Sequence, residues 1–210
     1  MSLTELVKQR SLAMILSSLP EHPCNSVELE QYSTSGDIAA ILTMEMLARG
    51  DLNQDSVVVD LGSGNGILGI STALMGASQV VLVEIDQSAC AIAFEAIKKT
   101  KVGDIVEVMC CSVDESLDLV GVDLVISNPP WGFQTPKADR PFLEAIIRSE
   151  ATSYLIHSAE ATHIEPMFRN LSWGVERWWE ADFSLPSRYP HHSKRQSRTK
   201  AAFWRLTPPS

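Results

Sequence analysis

The sequence predicts an α/β fold: a doubly wound, mostly parallel seven-stranded sheet with N-terminal helices. Three observations predict it. Short runs rich in Val, Ile and Leu alternate with segments of helical period from residue 57 onward. Acidic residues, glycines and a rigid Asn-Pro-Pro-Trp stand just after those runs, where such sheets bind ligands. The chain has 210 residues, 45% apolar and 20% charged, which suits one domain with a substantial core and excludes a disordered chain. No apolar run approaches the ~20 residues that span a bilayer, so no membrane association is expected.

Residues 3–18 carry Leu3, Leu6, Val7 and Met14 at helical spacing, and Pro20 ends the helix. Lys8 and Arg10 before an apolar stretch imitate a signal peptide. Glu5 and the missing small-residue cleavage site favour a helix packed on the domain. Residues 37–49 form a second helix, with Ile38, Ile41, Leu42 and Met46 on one side and Gly50 closing it. Strands follow at 57–59, 80–83, 105–110, 122–127 and 153–157. Helices fall at 67–75, at 88–99 with Ser88 as N-cap and Lys98 and Lys99 at its end, and at 143–148. Residues 175–185 and 201–206 read as a closing pair of strands. The whole is one domain, 1–210: an N-terminal cap (1–50), a ligand-binding core (51–185) and a basic C-terminal strand or loop (186–210).

The net charge is −9, which by itself argues against nucleic acid. Its distribution argues the other way. Residues 186–210 hold Arg188, Lys194, Arg195, Arg198, Lys200 and Arg205, two His and no acid. The remainder carries 11 basic residues against 26 acidic ones, or −15. Such asymmetry points to a polyanionic partner, with a solvated terminal strand as the alternative. The four cysteines form no C-x-x-C, and free thiols in a reducing compartment are expected. The five histidines show no ligand spacing with Cys or acids, so no metal is implied.

The chemistry-bearing residues lie at strand ends. After the first strand comes Asp60-Leu61-Gly62-Ser63-Gly64-Asn65-Gly66, a loop whose glycines let the backbone approach a ligand and whose following helix offers free N–H groups. After the second comes Glu84, twenty residues beyond Gly64, a carboxylate placed to accept ribose hydroxyls. Gly64-x-Gly66-x-x-Gly69 also fits a dinucleotide pattern. Asp60, however, would put a negative charge beside a pyrophosphate, whereas it welcomes an ammonium. A nucleoside with an amino-acid tail, S-adenosylmethionine, satisfies both acids. After the fourth strand comes Asn128-Pro129-Pro130-Trp131. The prolines fix the backbone, the Asn128 oxygen and Pro129 carbonyl can accept both hydrogens of a flat amino group, and Trp131 can stack on a base.

In order and spacing, Asp60 to Gly66, Glu84 and Asn128 to Trp131 resemble a Rossmann-like class I S-adenosylmethionine-dependent methyltransferase acting on amino groups. Glu30-Gln31-Tyr32-Ser33-Thr34, Tyr154-Leu155-Ile156-His157 and the tail with Pro190-His191-His192 narrow the likeness. From about Glu30 to Leu206 the chain resembles the methyltransferase-like protein 5 family and its archaeal relatives, adenine-N6 methyltransferases of small-subunit ribosomal RNA.

The resemblance implies roles. Gln31, Tyr32 and Thr34 close over the cofactor's methionine end, Asp60 takes its ammonium, and Gly62, Gly64 and Gly66 line it. Glu84 takes the ribose hydroxyls. Asn128, Pro129, Pro130 and Trp131 hold the target adenine, with Asn128 also bordering the cofactor. Arg188, Lys194, Arg195 and Arg198 meet RNA phosphates. Two departures stand out: Ser112 occupies the place of the acid that reads the cofactor's adenine, with Asp114 two positions on, and Trp131 stands where the family has Phe. The resemblance further implies a small zinc-ribbon activator protein paired along the exposed third strand, and a cytoplasmic location. The rival readings are a glutamine-amide methyltransferase acting on protein and a non-catalytic cofactor-binding scaffold.

Overall fold

Alternate residues along the strands feed two separate cores, one on each face of a single sheet. The computed structural model describes residues 3–21, 34–184 and 198–209. Helices α1 (Leu3–Ser17) and α2 (Gly36–Arg49) lead into β1 (Val57–Leu61), α3 (Ile67–Leu74), β2 (Gln79–Glu84), α4 (Gln87–Thr100), β3 (Val106–Cys110) and β4 (Leu124–Ser127). Then come α5 (Arg140–Ser149), β5 (Thr152–Ser158), α6 (Ile164–Arg169), β6 (Gly174–Ser184) and β7 (Arg198–Thr207). The strand order is β3-β2-β1-β4-β5-β7-β6. The first five strands of that order run parallel, and β7 is antiparallel to both β5 and β6. Val58, Leu124, Ile126, Tyr154 and Phe203 pack toward α1–α4, while Val59, Leu61, Val125, Leu155 and Trp204 pack toward α5 and α6. No helix among the described residues is long and apolar enough to cross a membrane.

The expected α/β architecture and its seven strands are present. Local chemistry sets several boundaries. Ser35 caps α2 by accepting from the Ile38 N–H, and Gly50 ends it at φ 76°. Gly36 is required where α1 crosses α2, because a Cβ there would run into the Ser17 hydroxyl. Helix α4 begins one residue earlier than expected: Asp86, not Ser88, is the N-cap, and its carboxylate accepts from the Ser88 N–H. Helix α6 was not legible. Its six residues bury only Ile164 and Phe168, too few for a helical period to show.

Two further expectations are corrected. Cys90 and Cys110 are joined in a disulfide, leaving Cys111 free among the described residues. The register explains the encounter: Glu84 lies opposite Cys110, and the Cys90 sulfur lies 3.5 Å from the Glu84 carbonyl oxygen. Arg205, grouped with the RNA-facing tail from sequence, is committed inside the fold. Its guanidinium makes two bonds of 2.7 Å to Asp51, which also accepts from the Tyr154 hydroxyl at 2.6 Å. Burial alone would raise the Asp51 carboxyl, and the bonds from Arg205 and Tyr154 outweigh it and hold it low.

Candidate active site

The parallel strands deliver their carboxyl ends to one edge, and the register brings three of those ends side by side. Leu61, the last residue of β1, lies between Val83 of β2 and Ser127 of β4. The Ser127 hydroxyl donates to the Leu61 carbonyl at 2.9 Å, tying β4 to β1 where both stop. The N–H groups of Gly62 and Ser63 both donate to the Val83 carbonyl, at 2.9 and 3.0 Å, tying the glycine loop to β2. The loop therefore turns directly over the sheet edge. Gly62 and Gly66 sit at φ 70° and 78°, in the left-handed region, and a Cβ at Gly66 would strike Leu82.

Glu84 braces this loop. One carboxylate oxygen accepts from the Gly64 N–H at 2.8 Å and the other from the Asp86 N–H at 2.9 Å. Each oxygen keeps a further lone pair for a hydroxyl donor. Asp60 is 1% exposed. Its Oδ2 accepts from the Gly69 N–H at 2.8 Å, while its Oδ1 is buried with no partner among the described residues. Burial pushes the Asp60 carboxyl up to about 7. The Gly69 bond opposes that rise and the Glu84 charge adds to it. A buried carboxylate oxygen without a donor, beside a second carboxylate, fits an ammonium group. Ser112 and Asp114 are exposed and mutually bonded. Hydrogen bonds from Ser112, then from the Ser116 hydroxyl and N–H, draw Asp114 down to about 2. The Ser112 proton is committed to Asp114, so its oxygen can accept.

At the end of β4, Asn128 is held from two sides. Its Nδ2 donates to the Thr34 hydroxyl at 3.1 Å, and its Oδ1 accepts from the Trp131 Nε1–H at 3.2 Å. Pro129 is buried and Pro130 half-buried. From sequence Trp131 was expected to present its ring to a base. Its ring is 6% exposed and packs on His157, 5.9 Å between centroids and 22° between planes, and on Phe183 at 5.2 Å. Phe133, in T-shaped contact with Trp131, is the 49% exposed ring of this loop and was not singled out from sequence. The ends of the N-terminal cap reach both halves of the site: Asn65 of the glycine loop donates to the Pro20 carbonyl at 3.0 Å, and Thr34 holds Asn128.

Some expected site residues cannot be placed. Gln31 and Tyr32 lie outside the described residues, as do Arg188, Lys194 and Arg195, and of Arg198 only the backbone, at the start of β7, is described. The structure also assembles a group that sequence spacing concealed. Asp139, His157 and His163 converge, with both imidazole Nε2 atoms on Asp139 Oδ2 at 3.2 and 2.5 Å. They come from three different elements, so no local motif announces them.

A parallel sheet with a glycine loop after β1, an acid after β2 and Asn-Pro-Pro-Trp after β4 defines a class I methyltransferase, and its buried unpaired carboxylate oxygen suits the amino-acid end of S-adenosylmethionine. Comparison with known proteins agrees. Residues 32–162 match the methyltransferase small domain family. The rRNA N6-adenosine-methyltransferase METTL5 of Danio rerio is 31% identical over 96% of this chain and 100% of its own length. An uncharacterized protein of Methanocaldococcus jannaschii is 31% identical over 96% of this chain and 94% of its own. The crystal structure of a Pyrococcus horikoshii protein described as a candidate RNA methyltransferase superposes with a TM-score of 0.85 at 30% identity, covering 97% of this chain and 100% of that one. The chain belongs to the METTL5 family of the small-domain methyltransferases, and its cofactor is S-adenosylmethionine.

Asp60 gives a pH-dependent prediction. A native carboxyl raised to about 7 binds a proton between pH 4 and 7 that the unfolded chain, near 3.9, has released. Its ionisation therefore costs stability as pH rises through that window, and an ammonium ligand reverses the cost. Calorimetry should show S-adenosylmethionine affinity falling as pH drops from 8 to 6, with proton release on binding. Asp60→Asn should remove that dependence. At pH 8, Asp60→Ala and Glu84→Ala should each cost about 1.5–3 kcal/mol of cofactor binding, the worth of a charge-assisted bond. Unchanged affinity in both would remove the glycine loop from the cofactor site.

Proposed function

We propose that this methyltransferase transfers a methyl group from S-adenosylmethionine to the N6 amino group of an adenine in small-subunit ribosomal RNA. The observation that carries the reading is Asn128, a rigidly presented amide acceptor at the edge where the cofactor loop lies. The name borne by the Danio rerio relative supports the substrate. Bound cofactor supplies an electrophilic methyl on its sulfonium. The protein's part is to prepare the nitrogen. Adenine N6 is a weak nucleophile because its lone pair is delocalised into the ring. Asn128 Oδ1, which keeps one acceptor site beside the Trp131 bond, and the Pro129 carbonyl draw on its two N–H bonds. They stabilise positive charge that develops only in the transition state. Pro130 fixes the carbonyl's direction. Phe133, the exposed ring of this loop, provides aromatic surface beside the base, which must leave its stack to reach it.

Around the cofactor, Gln31, Tyr32 and Thr34 close over the methionine end, and Asp60, Gly62, Gly64 and Gly66 hold it. Glu84 takes the ribose. Ser112, backed by Asp114, accepts from the adenine amino group in place of the usual acid. The basic tail holds RNA through Arg188, Lys194, Arg195 and Arg198. The activator is a small zinc-ribbon protein that adds a strand to β3, and the reaction belongs to the cytoplasm. Supporting the activator, β3 is an edge of the sheet, with Glu107, Met109 and Cys110 exposed on it and Phe94 of α4 exposed nearby. An uncovered apolar edge invites strand addition.

Four measurements test this reading. Asn128→Ala should reduce methyl transfer by more than ~10²-fold while leaving cofactor affinity intact. Radiolabel should pass to RNA and not to protein; label in protein would favour glutamine-amide methylation, and label in neither a scaffold. Replacing Lys194, Arg195 and Arg198 with Ala should weaken RNA binding and flatten the slope of log affinity against log salt by about two units, at ~0.7 per phosphate lost. An unchanged slope would mean that RNA is held elsewhere. Co-expression with the zinc-ribbon partner should yield a stable, active heterodimer. A soluble, fully active monomer in sedimentation would count against the partner.

A further inference from the structure

Behind the acceptor loop lies a group of side chains with no part in the chemistry described above. His157, in β5, is 1% exposed, and Asp139, at the entry to α5, is 5% exposed. A carboxylate only accepts, so the His157 proton in their 3.2 Å contact sits on Nε2 and donates to Asp139 Oδ2. The His163 Nε2 approaches the same oxygen at 2.5 Å from the solvent side, its side chain half exposed. These contacts have hydrogen-bond length around one oxygen. The His157 Nδ1 has no partner among the described residues. Asp139, bonded to both imidazoles, thus forms a strut behind the loop.

The strut bears on Trp131. The His157 ring stacks on the indole at 5.9 Å and 22°, and Phe183 packs against it at 5.2 Å. Asp139 also begins α5, its carbonyl accepting from the N–H groups of Phe142 and Leu143 at 3.0 and 3.1 Å. One carboxylate thus ties the far end of the acceptor loop to β5. The near end is Asn128. An amide side chain can face either way unless its neighbours decide. The indole N–H only donates, so it must meet the Asn128 oxygen, and the Thr34 hydroxyl accepts from the Asn128 nitrogen. Tilting the indole would release the bond that, among the described residues, fixes the acceptor oxygen.

We propose that Asp139 and His157 are positioning residues for methyl transfer: they hold the plane of Trp131 and, through its N–H, the orientation of the Asn128 amide. The proposal rests on the acceptor role of Asn128. A misplaced acceptor lowers the chemical step without touching cofactor binding, since the cofactor loop is braced separately by Glu84 and Val83. The Trp131 N–H is the link through which the strut acts, so a variant lacking that N–H is blind to the strut.

The test is a double-mutant cycle on the full chain, with unmodified small-subunit rRNA transcribed in vitro as substrate. His157→Ala should lower kcat at least about 10-fold, with KM for RNA and the cofactor Kd changed less than about twofold. In the Trp131→Phe background the same substitution should cost less than about twofold, because the effect of a residue acting through another vanishes when the intermediary is gone. Asp139→Asn, of the same shape, should lower kcat with the same coupling to Trp131→Phe, and it serves if His157→Ala fails to fold. Equal losses in both backgrounds, or a loss of kcat that tracks a loss of cofactor affinity, would overturn the proposal. Asn128→Ala, run alongside, separates the two levels. If it remains active, the acceptor reading fails. If it is inactive while the cycle is additive, only the strut fails.

Discussion

Parallel pairing of β1 with both β2 and β4, in a register that sets Leu61 between Val83 and Ser127, is the constraint on which the rest of this structure depends. It makes three chain segments stop at one edge, within reach of one small molecule. Hydrogen bonds across the stops then fix the loops: Ser127 to Leu61, and Gly62 and Ser63 to Val83. A shift of one residue in either pairing would turn Asp60 to the other face and separate the cofactor loop from the acceptor loop. Burial on both faces makes such a slip costly, because every strand neighbour contributes to one of two cores.

The same edge carries a deliberate instability. Asp60 is buried with one oxygen unpaired among the described residues, near the Glu84 charge, and is raised to about 7. A protein selected only for stability would neutralise or solvate that carboxylate. Here the deficit is what a cationic ligand corrects, so binding and local stabilisation are one event. Glu84 is arranged differently. Its oxygens already accept from Gly64 and Asp86, so it holds the loop in the free protein and is left with lone pairs for hydroxyls. One acid waits for charge, and the other has already shaped the site.

What the sequence made legible follows from how local each feature is. Asp60 to Gly66, Glu84 and Asn128 to Trp131 are short motifs at strand ends, and the structure brings them to one edge as expected. The alternation of apolar runs with helical periods located all seven strands. What was hidden depends on partners distant in sequence. Arg205 looked like part of a basic tail, because nothing in a linear reading joins it to Asp51 across 154 positions. The Cys90–Cys110 pair spans 20 residues without a motif. Helix α6 is too short to show a period. Asp139, His157 and His163 come from three elements, and their convergence exists only once β5 lies beside β4. Trp131 illustrates a different limit: its type was legible, but not that its ring would be enclosed by His157 and Phe183.

The enclosure of Trp131 changes how the acceptor loop should be understood. The ring is packed by His157 and Phe183, and its N–H meets the Asn128 oxygen. A phenylalanine at this place would have no such N–H and would leave the amide to its other partner. In this chain Thr34 supplies that second partner from the N-terminal cap, two positions after Tyr32. The segment expected to close over the cofactor's methionine end is thereby bonded to the residue expected to receive the target amine. Among the described residues, the Thr34 hydroxyl is what joins the cap to the acceptor amide.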